Sequence, residues 1–419
     1  MTGRKAFRAS ILHCIADPGE RGELSAIEYF NDGLLLVRDG LVESAGLAAT
    51  ALPQLPADVE VVDARDKLIV PGLIDCHVHY PQVDMVASYG EQLLDWLERY
   101  AYPAEMRFAS AEHATKTAGY FADALLRNGT TTAMVFGTVH AHSADAIFAA
   151  AEQRNMRLVA GKVLMDSNCP LDLRDPPGGG IEESRQLIDR WHGKGRLSYA
   201  ITPRFAVTSS AAQLAAAGKL ASEFPDVYVH THLAENEAEI EMVGKLFPQC
   251  RSYYDVYDSF GLSRKRSVFA HCVHIDHRDR AHMRQSGAAI AFCPGSNLFL
   301  GSGLFDLRDA IACDIPVGIG SDVGGGTSLN LLRTLSDGYK VLQLKGQSLP
   351  GFRALYLATL GAAKALRMDD RIGNFAAGKE ADFVMLDSST SPAVHSRLSQ
   401  TVDVSEKFVA LMMLGDDRS

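Results

Sequence analysis

Eight short apolar runs, separated by longer amphipathic stretches, constrain this chain more than any other feature. The runs cover residues 68–79, 130–137, 157–166, 197–204, 227–235, 267–275, 288–297 and 315–324. Each is rich in Val, Ile, Phe or Tyr, or is bounded by Gly, Pro or Asn, as buried parallel strands are. The stretches 110–127, 141–154, 181–192, 210–224 and 236–247 carry apolar residues at three-and-four spacing, which predicts helices. Eight strand–helix units predict an α/β fold, a (β/α)8 TIM barrel. The first two runs start 130 − 68 = 62 positions apart, so the first loop holds a large insertion.

The flanks read differently. Strand-like pieces stand at 7–16 and 33–43, with an Arg38-Asp39-Gly40 turn in the second, and another piece, 381–386, follows a Gly378-Lys379 turn. Neither flank is large enough for a core of its own. The expected organisation is a small β-sandwich built from residues 1–67 with 373–419, beside a barrel at 68–372. A separate N-terminal domain is the alternative.

Charge and cysteine usage narrow the function classes. With 41 Lys+Arg against 51 Asp+Glu, the net charge is −10, which argues against a nucleic-acid polymer or an anionic membrane as partner. A free base as substrate remains open. No apolar run approaches the ~18 residues of a membrane span, and the apolar stretch 11–16 is too short for a signal peptide. The seven cysteines include no C-x-x-C pair, so they read as reduced thiols of a cytoplasmic protein.

Active sites of such barrels lie at the C-terminal ends of the strands. Five of the eight predicted ends carry His, Arg or Asp: Asp75-Cys76-His77-Val78-His79, Thr202-Pro203-Arg204, His230-Thr231-His232, His271 and Ser321-Asp322. His77 and His79, two apart on a strand, face the same way. Two imidazoles at a barrel mouth suit a metal such as zinc. The second H-x-H offers a choice, and His232 is favoured as ligand because it is nearer the mouth, with His230 below it. Glu235 stands three residues on. If the chain turns helical there, both share one face, and a carboxylate beside the metal serves proton transfer. Asp322 ends an apolar strand, where a carboxylate is costly unless paired or metal-bound. His271 is either a ligand or a hydrogen-bond partner of the attacking water. His274, His277 and His282 read as surface residues. Gly324-Gly325-Gly326 lacks the Lys of a phosphate loop and reads as backbone passing close to the substrate.

Together, Pro71-Gly-Leu-Ile-Asp-Cys-His-Val-His79, His232 with Glu235, His271 and Asp322 resemble the amidohydrolase superfamily. Further elements resemble its guanine-deaminating branch: His79-Tyr-Pro-Gln82, Leu93-Leu-Asp-Trp-Leu97 with Tyr102-Pro-Ala-Glu105, Thr202-Pro-Arg-Phe205, Cys293-Pro-Gly-Ser-Asn297 and Gly320-Ser-Asp-Val-Gly-Gly325. The resemblance runs from about residue 25 to the end. Cys76 departs from the usual Thr, and Gly295 from a larger residue. Relatives usually continue past residue 418 with another strand.

The resemblance implies one zinc ion, or iron, held by His77, His79, His232 and Asp322. It implies hydrolysis of guanine to xanthine and ammonia, with Glu235 and Asp322 moving protons and His271 aligning the attack. Gln82 and Arg204 would bond the edges of the base, and Phe205 would pack on its face. It also implies a homodimer. Other deaminases or chlorohydrolases of this superfamily, acting on cytosine, adenosine derivatives or triazines, share the metal residues. A barrel that has lost catalysis and only binds is the remaining alternative.

Overall fold

The computed structural model describes every residue except Met1, Thr2, Glu91, Ser388, Thr390 and Arg418. All eight apolar runs contain a strand: Leu73–His79, Thr130–Phe136, Arg157–Gly161, Leu197–Pro203, Tyr228–Leu233, Ser267–His271, Ala289–Phe292 and Val317–Ile319. Each of the first seven is hydrogen-bonded in parallel to its successor. At the mouth the eighth strand's extension meets the first: the Asp322 amide donates to the His77 carbonyl at 2.8 Å, and the His79 amide to the Val323 carbonyl at 2.8 Å. The result is the expected (β/α)8 barrel.

The five predicted helices form at Ala111–Arg127, Ala141–Gln153, Gly179–Trp191, Ala211–Glu223 and Glu237–Leu246. Ser110, Ser210 and Asn236 cap three of them with side-chain oxygens, and this satisfies amides that the helix itself leaves unpaired. Met134, Val159, Ala200, Tyr228 and Val268, from five consecutive strands, belong to one buried apolar cluster. Each lies N-terminal to the C-terminal end of its strand, so apolar packing seals the space beneath the site.

The run at 68–79 divides at Gly72. Residues 68–71 end the strand Glu60–Pro71 and pair with Phe383–Asp387, whereas Leu73 opens the barrel. A Cβ at position 72 would overlap Thr131, so only glycine fits the crossing. Both chain ends supply one five-stranded sheet, in the order Phe383–Asp387, Glu60–Pro71, Arg4–Cys14, Ile27–Arg38, Leu41–Leu47. The last two strands join through Asp39 and Gly40, at φ 51° and 82°, the hand that suits a two-residue hairpin. Two further helices, Pro392–Ser399 and Val404–Leu414, send Val394, Phe408, Leu411 and Met412 into the barrel's main apolar cluster.

The insertion after the first strand winds through short helical turns, Tyr80–Met85, Leu93–Trp96 and Tyr102–Met106 among them. No helix among the described residues is long and apolar enough to cross a membrane.

Candidate active site

His77, His79 and His232 bring their Nε2 atoms together at the barrel mouth. His79 Nε2 lies 3.2 Å from that of His77 and 3.1 Å from that of His232. Asp322 Oδ1 is 3.1 Å from His77 Nε2 and 3.3 Å from His79 Nε2. Burial pushes all three imidazoles below their usual pKa, His79 to about 3, which favours their neutral form. His232 donates through Nδ1 to the Arg204 carbonyl at 2.7 Å, which leaves a lone pair on its Nε2. Converging lone pairs repel unless a cation sits among them. Ligands at ~2.0–2.1 Å from zinc in a tetrahedron stand about 3.3 Å apart, and the four distances above, 3.1–3.3 Å, match that spacing. The donor set therefore fits a metal ion.

His230 lies behind this cluster, its Nε2 2.8 Å from His77 Nδ1. It occupies the lumen on the far side of His77 while His232 faces the cluster. A partner on the remote nitrogen fixes a ligand imidazole's tautomer and orientation. Asp75, buried below, accepts from the Ser321 amide at 3.0 Å and hydroxyl at 2.5 Å and from the His77 amide at 3.1 Å. It ties the eighth strand's end to the first.

The electrostatics separate two carboxyls. Burial alone would raise the Asp322 pKa, but His77, His79 and His271 hold it well below the usual range. Burial, and then the charge of Asp322, push Glu235 up to about 8, against the opposing bond from the Ser302 hydroxyl. One carboxyl stays ionised and the other keeps its proton near neutrality, a separation suited to acid–base work. His271 sits between them. Its Nε2 is 3.3 Å from Glu235 Oε2 and 3.6 Å from Asp322 Oδ2, and its Nδ1 is held by Asn297 Oδ1 at 2.8 Å.

Glu235 corrects the conditional helical expectation. It lies in the loop after Tyr228–Leu233, where Ala234 has φ 48°, and before the helix Glu237–Leu246. The Glu239 carboxylate fixes that loop by accepting from the amides of Glu235 at 3.0 Å and Asn236 at 3.2 Å. Asp322 does not cap the next helix, since Asn330 does so. His274, His277 and His282 are exposed, as expected.

Beside the cluster lies a pocket lined by Gln82, Arg204, Phe205, Glu235, His271 and Asp322 together with Leu93, Trp96 and Leu97 of the insertion. Gly325 also lines it, so the glycine run does pass close to this space. Phe205 is buried, its ring 6.5 Å from that of His232. Arg204 and Gln82 are both engaged by Glu105. Sequence reasoning assigned no role to Glu105, Glu239, Asn297 or Ser302. Glu105 and Asn297 stand in motifs that carry the resemblance, and Glu239 stands in an Asn236-x-x-Glu239 capping box.

Residues 68–416 match the Amidohydrolase family. Guanine deaminase from Escherichia coli strain K12 is 50% identical over 418 residues, covering 99% of this chain and 95% of the relative. The solved E. coli guanine deaminase superimposes with a TM-score of 0.96 at 49% identity, over 99% of this chain and 96% of that one. Guanine deaminase from C. acetobutylicum, solved with guanine in its active site, has a TM-score of 0.90 at 26% identity, over 99% and 97% of the two chains.

Proposed function

The chain belongs to the amidohydrolase family, and from that premise we propose that it hydrolyses guanine to xanthine and ammonia. One observation carries the reading. One pocket at the barrel mouth is lined by His79, His232 and Asp322 of the four-residue cluster, by a Glu235 that keeps its proton, and by Arg204. The 50% identity to a guanine deaminase over 418 residues supports the substrate.

We assign the four residues to one zinc ion, which when bound acts as a Lewis acid that lowers the pKa of water toward neutrality. His271, oriented by Asn297, aligns the attacking water. Asp322 takes the water's proton and returns it to the departing ammonia. Glu235 delivers its proton to the ring nitrogen beside the amine-bearing carbon and regains one from the new hydroxyl as it becomes the carbonyl of xanthine. Arg204 offers N–H donors to the carbonyl edge of the base, Gln82 bonds a second edge, and Phe205 packs on its face. Arg204 suits a carbonyl because its donors are rigid and always charged.

The same reading makes the protein a cytoplasmic homodimer. The seven cysteines are all unpaired, in keeping with a reducing compartment. The dimer rests on the resemblance alone and is checked by sedimentation.

The test of function is direct. Zinc-loaded protein incubated with guanine yields equal amounts of xanthine and ammonia. Turnover of cytosine, an adenosine derivative or a triazine, with guanine untouched, would refute the substrate and leave only the family.

A further inference from the structure

Glu105 comes from the helical turn Tyr102–Met106 of the first-loop insertion, yet its side chain is fully buried beside residues of the first and fourth barrel loops. Both its oxygens bind Arg204 Nη1, at 2.8 and 2.6 Å. The Arg204 guanidinium also lies over the Tyr102 ring, 5.4 Å from its centroid. The insertion thus grips one end of the guanidinium from two sides. Among the described residues no hydrogen bond engages Arg204 Nη2 or Nε.

The same carboxylate orients Gln82. Gln82 Nε2 donates to Glu105 Oε1 at 2.9 Å, and Gln82 Oε1 accepts from the Gly324 amide at 3.1 Å. A carboxylate can only accept and an amide N–H can only donate, so the side-chain amide cannot turn over without losing both bonds. One N–H and one lone pair of Gln82 stay available.

We propose that Glu105 is the positioning residue of base recognition: it fixes Arg204 and Gln82 together, so the pocket presents N–H donors where the substrate carries its carbonyl. This rests on the reading of the protein as a guanine hydrolase. Removing the carboxylate charge frees both side chains. It leaves the metal cluster alone, because Glu105 is bonded to none of its four side chains among the described residues. The loss then falls on substrates that use the carbonyl. A purine with the 2-amine but no carbonyl, 2-aminopurine, gains nothing from an ordered Arg204.

The test compares guanine and 2-aminopurine in the zinc-loaded wild-type enzyme and in Glu105→Gln and Glu105→Asp. In Glu105→Gln, kcat/KM for guanine falls about 100-fold, mainly through KM, because a site built around polar recognition discriminates steeply. The value for 2-aminopurine, which keeps the Gln82 contact but has no carbonyl for Arg204, falls about tenfold less than that for guanine, and zinc per chain is unchanged. Glu105→Asp restores part of the preference. Equal losses on both purines, or a preference unchanged in Glu105→Asp, would overturn the proposal while the guanine reading stands. If Glu105→Gln does not fold, Glu105→Asp decides alone. A wild-type enzyme with full zinc that leaves guanine untouched overturns the functional reading and this inference with it.

Discussion

The Nδ1 of His232 donates to the main-chain carbonyl of Arg204 across 2.7 Å. A residue of the metal cluster is therefore oriented by the backbone of the residue whose side chain faces the base. The two duties of Arg204 are separable, because substitution changes only the side chain. Arg204→Leu is expected to lower kcat/KM for guanine by about 100-fold or more, since the carbonyl edge loses its donors, while zinc per chain stays at the wild-type value. Metal analysis with steady-state kinetics checks both halves.

Glu235 is assigned a proton-transfer role with no share in holding the metal. Glu235→Gln keeps the shape and the bond to Ser302 but cannot exchange a proton. Turnover is expected to fall by ~10²–10⁴-fold, the range for losing a general acid or base. Bound zinc should remain. Loss of the metal in this variant would show that Glu235 is a ligand.

His230 acts through His77, which it meets at 2.8 Å. His230→Phe fills the lumen but gives His77 Nδ1 no partner. Zinc affinity is expected to drop by ~10–100-fold, as for other partners of ligand imidazoles, with turnover per bound ion nearly unchanged. Competition with a chromogenic chelator measures the affinity.

His13 supplies a pH dependence far from the site. Burial holds its pKa down at about 4, and the Lys379 charge acts in the same direction against a backbone bond at Cys14. The Glu28 carboxylate, 3.0 Å from Nε2, is half exposed and largely screened by water. An unfolded His titrates near 6.5, so between pH 6.5 and 4 the unfolded chain binds more protons. Stability is complete above pH 6.5 and is lost on acidification toward 4, by roughly 3 kcal/mol from this residue. In His13→Gln the fall in melting temperature between pH 7 and 4.5 should be smaller than in the wild type.

The barrel was legible because a parallel strand buried on both faces must be apolar throughout, and each of the eight runs has that signature. The facing of His77 and His79 follows from the two-residue period of a strand. Their nearness to His232 and Asp322 follows from barrel closure. Two kinds of feature were not legible. Glu235 sits in a loop because Ala234 takes a left-handed φ and Glu239 ties the following amides, and neither shows in a three-residue spacing. Glu105 reaches Arg204 across 99 residues of chain. No local pattern states which buried acid an insertion will deliver to which strand. The division of the first run at Gly72 was hidden because residues on both sides are equally apolar, and only the crossing past Thr131 separates them.

The most direct measurement titrates zinc into metal-free protein and follows guanine by ultraviolet absorbance at each step. The account predicts that xanthine formation rises in proportion to added zinc and stops rising at one ion per chain. A guanine spectrum that stays unchanged with the His77, His79, His232 and Asp322 cluster fully loaded would contradict it.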